Sequence, residues 1–194
     1  MCTNVLILQS FQQKLWERLP DHLELDLGCG KGRFTLALAQ RYPNHTVIGV
    51  DRQLGRLRKL LSKANRRNVS NITAVYAQLW TFVAFYLPDA CADRIHILCP
   101  DPWPKKKHAP HRTISSEFVG MLGCKLKAGG ILHLATDNVP YRERMERIMQ
   151  ATSEFVPAPH GIDDIRDLKT DFELRFERDG IHVWHAAWQK KGRT

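Results

Sequence analysis

An acidic residue between prolines, next to a tryptophan and several cations, is the feature of the chain that most strongly suggests chemistry. Asp101 lies in the segment Cys-Pro-Asp-Pro-Trp-Pro-Lys-Lys-Lys-His, residues 99–108. Prolines cannot continue a sheet ladder and restrict the residue before them, so this segment is predicted to be a stiff loop. The carboxylate and the Trp103 ring could hold a purine while the lysines bind its phosphates. A rigid surface turn with solvated lysines uses the same residue types, so the segment alone leaves both interpretations open.

A second candidate site follows the first strand pattern, in the segment Leu-Asp-Leu-Gly-Cys-Gly-Lys-Gly at residues 25–32. Gly28, Gly30 and Gly32 allow a tight turn and close approach of the backbone to a ligand. Asp51 ends the next strand pattern, where a carboxylate can accept hydrogen bonds from ribose hydroxyls. The glycine spacing differs from the Gly-x-Gly-x-x-Gly of dinucleotide-binding proteins. Asp26 would repel a pyrophosphate but suits a cationic amino acid, so the segment predicts S-adenosylmethionine; a tight turn with Asp51 as a solvated cap is the alternative.

The elements that must position these residues alternate along the chain. Strand patterns occur at residues 23–27, 46–50, 72–77, 94–98 and 131–135, and helical patterns at 34–40, 53–65, 79–87, 116–125 and 141–150. Such alternation is typical of a parallel sheet with helices on both faces. Residues 181–188 are predicted to add a last, antiparallel strand. We therefore expect one α/β domain over residues 1–194, with a mostly parallel sheet of about seven strands.

Charge and cysteine content narrow the class of partner and the setting. The net charge is +9, and the cations cluster between Arg52 and Arg67 and again from Lys105 to Arg112. Taken alone, the first cluster is better explained as a solvated helix face, but two clusters near predicted strand ends favour a phosphate-rich partner. The odd number of cysteines, 5, without metal-site spacing or a secretory signal, predicts reduced thiols, a cytoplasmic location and no metal. Residues 5–8 are too few to span a membrane, so no membrane partner is expected.

Four motifs occur in the order known from one enzyme family. They are Asp-Leu-Gly-Cys-Gly-Lys-Gly at 26–32, Pro-Asp-Pro-Trp-Pro-Lys-Lys at 100–106, Ala-Thr-Asp-Asn at 135–138 and Thr-Asp-Phe-Glu at 170–173. On these motifs the chain resembles bacterial tRNA (guanine-N7)-methyltransferases of the TrmB type, from about residue 23 to its end. The resemblance implies a class I, Rossmann-like methyltransferase fold and S-adenosylmethionine as the cofactor. It also implies methylation of a guanine at N7 in the tRNA variable loop.

The resemblance assigns roles to individual residues. Asp26, Asp51 and Asp101 fall where the family contacts the cofactor, and Asp101 is also assigned the catalytic role. Lys105, Asp137 and the segment Thr170 to Glu173, with Phe172, fall where the family binds the target nucleotide. Arg112 is expected to bind tRNA as a member of the second basic cluster. Guanine N7 already has a free lone pair and needs no general base. A carboxylate near the ring, from Asp101, Asp137 or Glu173, could stabilise the positive charge that develops on the purine, or accept hydrogen bonds from its N1–H and 2-amino groups.

The chain departs from the family pattern in two places, and some of the assigned residues have a second interpretation. Gln78 stands where the family usually has an acid against the adenine, and its amide oxygen can still accept a hydrogen bond. The segment before the first strand is short, which we expect to weaken tRNA binding. Asp137 could merely cap a helix, and Thr170 with Glu173 could be only a capping box.

The rival functions are methylation of another RNA or of a small molecule, and nonenzymatic RNA binding with a degenerate cofactor site. The predicted oligomeric state is a monomer or a weak homodimer.

Overall fold

The computed structural model describes residues 5–8, 19–103 and 112–192. Eight strands within these ranges form one sheet. The strands are β1 (Leu6–Ile7), β2 (Leu23–Leu27), β3 (Thr46–Asp51), β4 (Ile72–Tyr76), β5 (Ala92–Leu98), β6 (Leu126–Thr136), β7 (Phe155–Pro157) and β8 (Trp184–Lys190). The α-helices are α1 (Arg33–Arg41), α2 (Leu54–Arg66), α3 (Leu79–Phe85), α4 (Ser116–Lys125), α5 (Val139–Ala151) and α6 (Asp171–Arg178).

The strand order places the two candidate loops side by side. The order is β1-β4-β3-β2-β5-β6-β8-β7, with parallel pairing from β1 to β6 and antiparallel pairing of β8 with β6 and of β7 with β8. The chain runs outward from β2 to β4 on one side, and then from β5 to β6 on the other. Ligands bind at the carboxyl ends of the strands where such an order reverses. The loop that contains Gly28, Gly30 and Gly32, called the glycine loop below, follows β2. The segment that begins at Cys99 and contains Asp101, called the Asp101 segment below, follows β5. Both therefore lie where the strand order reverses.

The two faces of the sheet differ in chemistry because side chains alternate along each strand. Leu23, Leu25 and Leu27 of β2 belong to a core with α3, α4 and α5. Glu24 and Asp26, the residues between them, lie on the face covered by α1 and α2 and are also buried. One face of the central strands is therefore apolar, and the other carries buried charge close to the candidate site.

The predicted parallel α/β architecture and the antiparallel last strand are confirmed. Three details differ. Strands β1 and β7 were not predicted, because two or three residues carry no periodic signal. Strand β6 begins at Leu126, before the predicted start at residue 131, and continues through Gly129. Gly129 has a φ of 78°, and the pairing shifts register between Ala92 and Arg94, an irregularity that glycine tolerates. The last strand starts at Trp184, later than predicted.

Candidate active site

The loop between β2 and α1 turns on three glycines with left-handed backbone. Gly28, Gly30 and Gly32 have φ angles of 91°, 57° and 71°. A Cβ on either of the first two would meet no atom within 4 Å, whereas one on Gly32 would collide with Leu60 of α2. The first two glycines therefore leave open space for a ligand against the backbone, and the third allows α1 and α2 to pack closely.

Asp26 lies beneath this loop and is only 3% exposed. Its carboxyl group accepts a hydrogen bond from Thr35 Oγ1 at 2.5 Å. Burial raises the pKa of Asp26 to about 7; the Thr35 hydrogen bond opposes this rise, and the charges of Asp51 and Glu173 add to it. A cationic ligand group would favour the ionised form of such a carboxyl. The position therefore fits the ammonium group of an amino acid ligand.

Asp51, at the end of β3, is fixed by backbone groups on both sides. Its Oδ2 accepts a hydrogen bond from Gly30 N at 3.0 Å, and its Oδ1 accepts one from Gln53 N at 2.7 Å. Arg56 Nη1 lies 3.7 Å from Oδ2. Because a carboxylate has about four lone-pair positions, these contacts leave acceptor capacity for ribose hydroxyls. The carboxylate thus joins the glycine loop to the start of α2 in a fixed orientation.

A cleft of about 640 Å³ brings part of the predicted cofactor residues together with Asp101. This volume lies within the range of small-molecule sites, about 300–1,000 Å³. Residues that line the cleft include Gly28, Asp51, Gln78, Asp101, Trp103 and Arg112. A neighbouring cavity of about 230 Å³ is lined by residues that include Asp26, Gly30, Thr170 and Phe172. Phe172 lines both spaces, which are therefore adjacent.

Gln78 immediately precedes α3 and is exposed. Its side chain does not cap the helix, although the residue occupies the capping position. The amide group therefore remains available at the cleft wall, as the predicted neutral acceptor requires. Trp80, which sequence reasoning did not identify, also lines the cleft and is 42% exposed.

The Asp101 segment is constrained by its own backbone and by one arginine. Cys99 and Trp103 have φ angles of 49° and 43°, which costs a non-glycine residue on the order of 1–2 kcal/mol each. Arg112 Nε donates to the carbonyl of Pro102 at 2.9 Å and Nη2 to that of Trp103 at 3.2 Å. Its guanidinium also lies 5.7 Å from the centre of the Tyr141 ring. Asp101 itself is exposed at the cleft.

These contacts modify the expectation for the second basic cluster. Arg112 was predicted to bind substrate phosphates, but its guanidinium here holds the carbonyls of the loop that carries Asp101. Lys105 and the two lysines after it lie outside the described residues. Their predicted contact with phosphates stays a prediction.

The start of α6 forms the remaining wall. Thr170 and Glu173 make the predicted capping box: Thr170 N donates to Glu173 Oε2 at 2.7 Å, and Glu173 N donates to Thr170 Oγ1 at 3.1 Å. Phe172 is 47% exposed, so its ring is available to a planar ligand. Asp137 is partly buried and does not cap α5, because Asn138 Oδ1 accepts the Tyr141 N–H instead. The interpretation of Asp137 as a helix cap is therefore wrong.

Sequence reasoning missed several polar residues behind the site. Thr35 Oγ1 donates to Asp26, and a line of His96, His133 and His185, buried except at His185, leads across the sheet to Glu173. The only sign of this line in the sequence is one histidine in each of the strands β5, β6 and β8, at a position whose side chain points to the inside of the protein. That signal has no meaning until the order and register of the strands are known.

Comparisons with known proteins identify the family. A family model described as "Putative methyltransferase" matches residues 20–186. A tRNA (guanine-N(7)-)-methyltransferase of Marinobacter nauticus is 37% identical over 177 residues, which are 87% of this chain and 72% of that protein. One of Nitrosospira multiformis is 31% identical over 86% of this chain and 74% of the relative.

Solved structures show the fold alone. The 16S rRNA methyltransferase KamB superposes with a TM-score of 0.61 at 18% identity, covering 89% of each chain. A SAM-dependent O-methyltransferase of Thermotoga maritima gives 0.59 at 14% identity, covering 89% of this chain and 60% of the other. The class I methyltransferase fold is thus shared by an rRNA methyltransferase and an O-methyltransferase. By its sequence relatives, the chain belongs to the tRNA (guanine-N7)-methyltransferase family.

Proposed function

We propose that this chain transfers a methyl group from S-adenosylmethionine to N7 of a guanine in the tRNA variable loop. The observation that carries the proposal is that Gly28, Asp51, Gln78 and Asp101 line one cleft. Relatives that cover most of the chain are named for this reaction.

The residues present fit this cofactor. Asp26 would pair with its ammonium group, Asp51 would accept from the ribose hydroxyls, and the amide oxygen of Gln78 would accept from the adenine amino group. The open space at Gly28 and Gly30 gives the ligand room against the backbone. S-adenosylmethionine supplies an electrophilic methyl group on a positively charged sulfur.

The catalytic contribution proposed for the chain is electrostatic and positional. N7 of guanine has no proton to lose, so Asp101 acts through its charge as positive charge moves onto the purine. Arg112 holds the loop that carries this carboxylate. Phe172 would stack on the base, which its exposed ring at the cleft supports. Alignment of two bound reactants can contribute roughly 7 kcal/mol or more to lowering the barrier.

The proposed partner is tRNA, bound in part through the cationic face of α2. Arg52, Arg58, Lys59, Arg66 and Arg67 are all exposed there. This surface adjoins the cleft, because Arg52 and Arg56 line it. A solvated helix would show the same charge, so the proposal requires a salt-dependence measurement.

The proposed setting is the cytoplasm, and the proposed state is a monomer or a weak homodimer. Cys29, Cys91, Cys99 and Cys124 are free thiols, which suits a reducing compartment. Within residues 5–8, 19–103 and 112–192, no helix combines the length and the apolar character needed to cross a bilayer.

Competition between substrate classes tests the proposal. Purified protein with isotope-labelled methyl donor would be offered bulk tRNA, ribosomal RNA and a mixture of small nucleosides. We expect label in tRNA, with binding that weakens steeply as salt rises. Label in ribosomal RNA or nucleosides instead would favour the rival enzymes. Binding of tRNA without any cofactor binding would favour a nonenzymatic RNA-binding protein.

A further inference from the structure

A continuous chain of hydrogen bonds crosses the α1/α2 face of the sheet. His96 of β5 contacts Glu24 of β2 through Nε2 at 3.0 Å and His133 of β6 through Nδ1 at 3.1 Å. His133 Nε2 lies 3.0 Å from His185 Nδ1 of β8. His185 Nε2 lies 3.0 Å from Oε1 of Glu173, in the α6 capping box. Three imidazoles therefore connect two carboxylates, and one of these, Glu173, is buried in the capping box at the start of α6, next to the Phe172 that lines the cleft.

The number of protons in this chain is fixed by its geometry. Every ring nitrogen of His96, His133 and His185 takes part in one of the four contacts. A neutral imidazole has one N–H donor and one acceptor nitrogen, and an ionised carboxylate only accepts. Three neutral rings supply three protons, but four hydrogen bonds need four. The chain is complete only if it holds one proton more than its neutral rings carry.

The carboxylates at the two ends are held in the ionised form. Burial alone would raise the pKa of Glu24, but hydrogen bonds from His96 and the Arg94 guanidinium lower it to about 2. Burial also opposes the charge of Glu173, but hydrogen bonds from His185 and from Thr170 hold its pKa below the usual range. The additional proton therefore belongs to an imidazole.

The burial of the three histidines indicates which ring carries the additional proton. His96 is 0% exposed and His133 is 3% exposed. Burial lowers the pKa of His96 and places that of His133 well below its usual value. The side chain of His185 is 27% exposed and lies directly against the Glu173 carboxylate. We propose that His185 carries the additional proton and that its imidazolium is a positioning residue, which holds the buried Glu173 carboxylate and with it the start of α6 beside the cleft.

The groups around His185 support this placement. Glu173 faces it from α6, and neutral His133 faces it from β6. The positive charges of Arg94 and Arg166 lower the pKa of His133. They therefore oppose a second positive charge on that ring. Every ring nitrogen is already engaged, and among the described residues no group of His, Cys, Asp or Glu is arranged to hold a metal ion.

The consequence for the site follows through Glu173. Its two oxygens join the β8 imidazole to the Thr170 N–H, so His185 and α6 are held in one geometry. The adjacent Phe172 lines the cleft. The charge of Glu173 also raises the pKa of Asp26, and an imidazolium beside Glu173 offsets that repulsion. His185 thus affects the position of α6 at the cleft and the pKa of Asp26, although it would contact neither the substrate nor the cofactor.

Nitrogen NMR of isotope-labelled histidine side chains tests the proton count without a variant. Near neutral pH, we expect His185 to be protonated on both nitrogens, and His96 and His133 on one nitrogen each. Three neutral rings would overturn the proposal, and so would the additional proton on His96 or His133. This result is independent of whether the protein methylates tRNA.

The positioning role rests on the proposed function and needs a second readout. His185→Gln keeps a donor toward Glu173 but removes the charge, and His182→Gln, at an exposed histidine of the same segment, is the matched control. We expect His185→Gln to lower kcat/KM for tRNA roughly tenfold, the scale of one hydrogen bond to a charged group. The rates of the wild type and of the His182→Gln control should fall at alkaline pH, because the line of hydrogen-bonded histidines then loses its fourth proton. The rate of His185→Gln should not fall in this way. A variant with the wild-type rate and pH profile would overturn the positioning role. A wild type that shows the predicted protonation but does not methylate tRNA would contradict the proposed function instead.

Discussion

Replacing Asp26 with asparagine should change stability and cofactor affinity in opposite directions. The carboxyl is 3% exposed, and its pKa rises from 3.8 to about 7 in the fold. The folded protein therefore holds a proton that the unfolded chain has released between about pH 4 and about pH 7. Stability is full below that window and falls as pH rises through it. At about 1.4 kcal/mol per pKa unit, the loss is on the order of 4 kcal/mol.

The asparagine side chain cannot ionise, so the Asp26→Asn variant avoids this loss. The difference in unfolding free energy, variant minus wild type, should grow by up to about 4 kcal/mol between the two ends of the window. Taking the difference removes the contributions of Glu24 and Glu173, which titrate in both proteins. Denaturant unfolding of the cofactor-free protein across pH measures this quantity. Asp21→Asn, at an exposed position, is the control and should show no such growth.

Cofactor affinity should respond with the opposite sign. In the wild type, binding should strengthen up to about pH 7, because neutral Asp26 must lose its proton to pair with an ammonium group. In Asp26→Asn, binding should be weaker by about 1.5–3 kcal/mol above that pH, roughly 10- to 150-fold, and nearly independent of pH. Calorimetry with S-adenosylmethionine measures both. Wild-type affinity that does not vary with pH, or a stability difference that stays flat, would refute the assignment of Asp26 as a buried acid that pairs with the cofactor.

Three further substitutions test separate parts of the cleft. Asp51→Ala should weaken S-adenosylmethionine binding by about 1.5–3 kcal/mol in calorimetry, because a charged acceptor is lost; unchanged affinity would remove Asp51 from the site. Gln78→Leu should raise KM for the cofactor and leave kcat almost unchanged; a change in kcat alone would place Gln78 elsewhere. Asp101→Asn should bind cofactor and tRNA normally but turn over roughly 100-fold more slowly, since one preorganised charge is gone. Single-turnover methylation near the wild-type rate at every pH would leave Asp101 as a structural turn residue.

Local sequence patterns predicted the parts of the site that depend on backbone geometry. Gly28, Gly30 and Gly32 could be predicted because the βα turn has a positive φ at each of these positions. Asp51 could be predicted because it ends the next strand, where it accepts a hydrogen bond from Gly30 N. The capping box of Thr170 and Glu173 is equally local, since its partners lie within one helical turn.

Long-range contacts were beyond such patterns. Arg112 looked like one cation of a cluster, but contacts with Pro102 and Trp103 turn its guanidinium toward the loop. The line from His96 through His133 to His185 exists only because β5, β6 and β8 are neighbours in a particular register. No spacing along the sequence records that register, which depends on the packing of the whole sheet.

The position of the transferred methyl group tests the central claim most directly. Bulk tRNA incubated with the purified chain and labelled S-adenosylmethionine would be digested to nucleosides, and the labelled nucleotide would be located in the tRNA sequence. We predict 7-methylguanosine at a single variable-loop guanine, and little product with Asp101→Asn at equal cofactor occupancy. Label on another atom of guanine, on another base, or at scattered positions would contradict the account.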